Sequence, residues 1–139
     1  MKTLRILTII LSLLIIIGAG HGIGPLGLFE AATVYYIVTD IGEIEFNIVG
    51  SYDDRLVAVS LMSLIGQLVL ILTFFLKLRL RSALTVVGCV ILLAAIFILT
   101  IDAGDITLIV ITSIFGLPLI VTASMLLFTE TNKLINKES

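Results

Sequence analysis

The chain has 139 residues, of which 60% are apolar and only 13% charged, and its net charge is −2. One domain is the most that this length holds, and a soluble domain carries roughly 25% charged residues to clothe its surface. The composition therefore excludes an ordinary water-soluble protein and leaves lipid as the solvent for most of the chain, read as a single integral membrane domain over residues 1–139.

In chain order, the first apolar element follows "MKTLR" and runs from Ile6 to Ala19. It reaches the roughly 20 residues a bilayer needs only by continuing into the glycine-rich stretch "GAGHGIGPLGLFE". A secretory signal peptide is the rival reading, since a basic start, an apolar run and small residues are its pattern. The expectation is a retained helix over about 4–22, because glycine and proline are tolerated at the ends of membrane helices. The glycines Gly18, Gly20, Gly22 and Gly24 do not form a nucleotide loop: no strand precedes them and no lysine follows. They suit close helix packing or an unwound helix end.

The long connection over 23–54 carries "ATVYYIVT", "DIG" and "EIEFNIV", two runs rich in Val and Ile about a short turn. Alternation of Glu43, Glu45 and Asn47 with Ile44, Phe46 and Ile48 predicts extended structure there, and Gly42 fits a hairpin turn. A helix starting at Pro25 competes over 25–39 and leaves that stretch open. A small hairpin, or a helix followed by a strand, is expected over the outer mouth of the bundle.

Three further spans, about 55–76, 83–101 and 106–128, have charge-free apolar interiors. Short connections at "KLRLRS" and "DAGD" make neighbouring spans antiparallel. The fold class expected is an all-α, up-down bundle of four transmembrane helices. Asp53 or Asp54 is placed to cap the second span, Ser82 the third and Asp105 the fourth, with Gly104 ending the third. Pro118 is expected to bend the last span.

Lys2, Arg5, Lys77, Arg79, Arg81, Lys133 and Lys137 fall on one side of this threading, with only Arg55 opposite. The positive-inside rule then puts both termini in the cytoplasm of a multi-pass protein, expected in a bacterial inner membrane. Glu30, Asp40, Glu43, Glu45, Asp53, Asp54, Asp102 and Asp105 fall on the outer side.

Chemistry-bearing residues are few. His21 and Glu30 form a candidate cofactor or lipid site if the chain folds back at Pro25, though one histidine does not make a metal site and no cofactor is expected. Asp102 and Asp105 are held close by a tight turn and read better as caps than as an ion site. Gln67 is the one strongly polar residue at mid-span, and Ser60, Ser63 and Gln67 share a helix face. That stripe would line a pathway in an oligomer, or hydrogen-bond across a helix interface. Thr85 with Gly88, and Ser113 with Gly116 and Ser124, make comparable faces. Cys89 lies inside an apolar run and reads as an inert buried thiol.

No base accompanies any serine, and no long basic run would track a phosphate backbone, so neither an enzyme nor a nucleic-acid binder is expected. The leading expectation is an accessory subunit or assembly partner that binds another membrane protein, or itself, through an acidic outer loop. The alternatives are an oligomeric channel or transport element, and a cofactor or lipid binder at the outer interface.

Overall fold

A computed structural model describes residues 1–19, 22–39, 48, 52–100 and 106–136. Its elements in order are helix α1 (Lys2–Leu13), strands β1 (Ile16–Ala19) and β2 (Gly22–Pro25), then helices α2 (Leu26–Thr39), α3 (Tyr52–Leu72), α4 (Leu78–Thr100) and α5 (Ile106–Ile135).

The last three helices contain apolar stretches over Arg55–Leu72, Leu80–Thr100 and Thr112–Ile135, of 18, 21 and 24 residues. At about 1.5 Å per residue these reach ~27, ~32 and ~36 Å, against ~30 Å of hydrocarbon. Three helices are thus long and apolar enough to cross a membrane. The expected fourth, a continuous first span over 4–22, is not what forms. Helix α1 stops at Leu13, and the chain turns into an antiparallel hairpin with register Ile16↔Pro25, Ile17↔Gly24, Gly18↔Ile23 and Ala19↔Gly22.

The local reason is in the residues. Ile15, Ile16 and Ile17 are β-branched, and each glycine after them costs a helix about 1 kcal/mol relative to alanine. Ile15 and Ile17, two apart on one strand face, are fully buried. Leu26 continues the pairing by donating its N–H to the Ile15 carbonyl at 2.7 Å. The hairpin expected later in the chain has its turn and second run in residues 40–49, of which only Ile48 is described, and His21, Asp102, Gly104 and Asp105 also lie outside the described residues. Over 26–39 the competing helix forms instead.

Helices α1 and α2 are inverted relative to soluble amphipathic helices. Helix α1 buries Arg5, Thr8 and Ser12 and exposes Ile6, Leu7, Ile10 and Leu13. Helix α2 buries Leu26, Glu30 and Thr33 and exposes Leu28, Val34, Tyr35, Tyr36 and Val38. A polar stripe turned inward and an apolar face turned outward is the arrangement a hydrocarbon solvent selects.

Helices α3 and α4 are the tightest pair. A Cβ added at Gly66 would lie 2.9 Å from Leu92 and 3.2 Å from the Gly88 carbonyl oxygen. One added at Gly88 would lie 3.0 Å from Leu70 and 3.1 Å from the Gly66 carbonyl oxygen. The pairing of Gly66 with Leu92 and Leu70 with Gly88 runs in opposite directions along the two helices, so they are antiparallel. Small residues here let the backbones touch. Thr85 and Gly88 are both buried, as expected for a packing face, whereas Ser124 is exposed and does not join Gly116 in the interior.

Two apolar clusters hold the bundle. Leu70, Cys89, Leu92, Ala123 and Leu126 join α3, α4 and α5, with Leu4 and Ile9 of α1 packed against them. Ile15, Ile17 and Leu26 seat the hairpin against Leu56, Val59, Ala95, Ile96, Leu99 and Leu119. Helix α5 continues without interruption through Pro118.

Candidate functional site

Two buried carboxylates organise the polar interior. Glu130, on the last turns of α5, is 1% exposed and accepts three hydrogen bonds. Arg5 Nη2 donates to its Oε1 at 2.7 Å, Lys133 Nζ to the same oxygen at 3.3 Å, and Ser82 Oγ to Oε2 at 2.8 Å. This clamp draws the start of α1, the early turns of α4 and the end of α5 to one end of the bundle. Ser82 was expected to cap the third span. Helix α4 begins earlier, at Leu78, so Ser82 lies inside it and its hydroxyl turns to Glu130 instead. The helix start is helped by Arg81, whose side chain donates to the Leu76 carbonyl at 3.0 and 3.2 Å.

The second carboxylate is Glu30, which the threading groups with the acids of the outer side and which the sequence also offers as a candidate site residue. In the structure the hairpin folds the chain back, and α2 lays Glu30, 3% exposed, against α3. Gln67 Nε2 donates to Glu30 Oε1 at 2.8 Å and to Ser63 Oγ at 3.2 Å. Ser63 is also hydrogen-bonded to the Glu30 carboxylate. The two candidate groups named separately from the sequence, Glu30 and the Ser60–Ser63–Gln67 stripe, therefore meet in one seam between α2 and α3.

Ser60 completes the stripe and is 1% exposed, yet its hydroxyl has no hydrogen-bond partner. Helical serines and threonines in apolar surroundings usually bond back to a carbonyl of their own turn. Thr8, Ser12, Thr73, Thr85 and Thr122 all do so here. Ser82 and Ser63 bond to carboxylates instead, whereas the hydroxyls of Ser60 and Thr112 and the Nε of Arg5 are the described buried side-chain atoms with no partner.

Of the remaining candidates, Asp53 and Asp54 lie within the first turn of α3 rather than before it. Among the described residues no three of His, Cys, Asp and Glu gather. Cys89 is fully buried. The clamp was missed from the sequence because Arg5 and Glu130 are 125 residues apart. The available signal was that Arg5, Ser82 and Glu130 all fall near one side of the expected threading. Comparison with protein-family models, curated proteins and solved structures returned no match. Function is therefore argued from the site alone.

Proposed function

We propose that this is a small polytopic membrane protein that works by binding, as an accessory subunit or assembly partner of another membrane protein. The observation that carries this reading is the outward face of α2. That helix has 14 residues, too few to cross a bilayer, and exposes Leu28 at 65%, Tyr35 at 66% and Val38 at 72%. A short helix held against α3 by its polar stripe presents its apolar face for contact. The acidic stretch from Asp40 to Asp54 follows directly and would extend that surface. The basic residues favour both termini on the cytoplasmic side of an inner membrane.

A photoreactive amino acid placed at Tyr35 or Val38 in native membranes tests this. Discrete protein adducts are expected there, with only lipid adducts from the same probe at Phe97 and Phe128, which are 65% and 69% exposed on the long helices. Lipid adducts alone at all four positions would overturn it. An adduct of twice the chain mass would make the partner a second copy.

A second reading, a transport element, is favoured by the approach of Glu30 to Gln67. An ionisable group brought against a membrane span is a functional-site hypothesis by default. Ion or solute flux in reconstituted vesicles, lost in Gln67→Leu, would support it; vesicles that stay tight would count against it.

A further inference from the structure

We infer that the seam between α2 and α3 binds one small monovalent cation, sodium in the cell, on the Glu30 carboxylate with the hydroxyls of Ser63 and Ser60. This goes beyond the assembly reading and does not depend on it.

Three observations converge. The first is charge. The partners of Glu30 are an amide and a hydroxyl, which supply dipoles and no counter-charge. Burial pushes the Glu30 carboxyl above the usual carboxylate range, so the seam trades a proton for one positive charge, and a divalent ion would leave one charge in excess. The elements packed against α2 are α1, α3 and β2. Their charged residues are Lys2 and Arg5 on α1 and Asp53, Asp54 and Arg55 on α3. Arg5 is held by Glu130, and Arg55 donates to the Ile98 carbonyl at 3.0 Å. Along α3, Arg55 is five residues from Ser60, roughly 7.5 Å, and eight from Ser63, roughly 12 Å, with the two aspartates beyond it. The only other titratable side chains on α2 are Tyr35 and Tyr36, on its exposed face.

The second is the oxygen set. Ser60, Ser63 and Gln67 are spaced by three and four residues and so lie along one helix face, and the latter two touch Glu30. The unmatched, fully buried hydroxyl of Ser60 sits on that face one turn from Ser63. A bare proton on Glu30 would leave the Ser60 oxygen unsatisfied. A metal cation takes several hard oxygens at once and satisfies it.

The third is the backbone. The helical run from α1 to α2 is broken by an extended hairpin, whose second strand ends five residues before Glu30. Broken helices of this kind are where membrane proteins build sites for small ions, because interrupted backbone is tolerated only when buried or lining a polar site.

The test uses the purified full chain in lipid nanodiscs. Choline chloride is replaced stepwise by sodium chloride at constant ionic strength, and thermal unfolding is followed by circular dichroism. A saturable rise in Tm is expected for the wild type and none for Glu30→Gln, which keeps a group able to accept from Gln67. Ser60→Ala is expected to move the sodium midpoint up roughly tenfold, the loss of one direct ligand. Equal responses to sodium and choline, or the same rise in Glu30→Gln, would overturn the inference. So would a rise produced by acid with no sodium dependence, which would make the ligand a proton. Should Glu30→Gln fail to fold, an unchanged midpoint in Ser60→Ala overturns it.

Discussion

Glu130 and Glu30 are buried to nearly the same degree but answered in opposite ways. Glu130 meets a guanidinium, an ammonium and a hydroxyl, whereas Glu30 meets an amide and a hydroxyl. The first set balances charge within the chain and reads as a fastening between three helices. The second holds no opposite charge, and burial pushes the Glu30 carboxyl up, which is why the seam, not the clamp, is the candidate site. Desolvation makes both costly, and only the partner set separates structure from function.

The largest effect expected is at the clamp. Glu130→Ala strands Arg5 as a buried cation and should lower stability by about 3–5 kcal/mol, read by denaturant unfolding in mild detergent. The double replacement Arg5→Met with Glu130→Met should recover most of that loss. A double variant as unstable as Glu130→Ala would show that the clamp is more than a balanced pair.

Next comes the glycine contact that both regions lean on. Gly66→Val pushes side-chain atoms into Leu92 and the Gly88 backbone, and overpacking of this sort costs about 1–3 kcal/mol. Loss of folded yield on size-exclusion chromatography would report it.

At the seam, Gln67→Leu removes one donor from Glu30 and should cost about 1–3 kcal/mol. Glu30→Leu combined with Gln67→Leu should sit closer to the wild type in thermal unfolding, since no buried carboxyl is then left short of a donor. If the double variant is the weaker of the two, the seam holds the fold together in the way the clamp does, and the contrast fails. The smallest effect is Lys133→Ala. Lys133 is 43% exposed and only three residues from Glu130, so it should shift stability by less than about 1 kcal/mol.

The three long helices were legible because each is an apolar run longer than any soluble core helix needs, and length alone decides. The first span was misread for the same reason. Counting apolar residues through Ile17 and the glycines gives a helix of membrane length, but β-branched isoleucines beside alternating glycines prefer an extended strand. That local preference prevailed once Ile15 and Ile17 found an apolar seat. Glu30 and Gln67 were each singled out from the sequence, Gln67 as the polar exception in its span. Their meeting was not legible, because it depends on a reversal at the hairpin that brings residues 37 apart into contact. His21, Asp102 and Asp105 lie outside the described residues.

The Arg5–Glu130 pair also sets an order of events during synthesis. Arg5 is made first, and its carboxylate partner follows 125 residues later. At about 5–20 residues per second the ribosome delivers Glu130 roughly 6–25 s after Arg5. During that interval the first helix carries a cation with no answering charge, so it would rest at the headgroup level with its side chain reaching for water. The contact that buries Arg5 forms only once α5 has been made, so the seating of α1 waits on a helix 125 residues downstream.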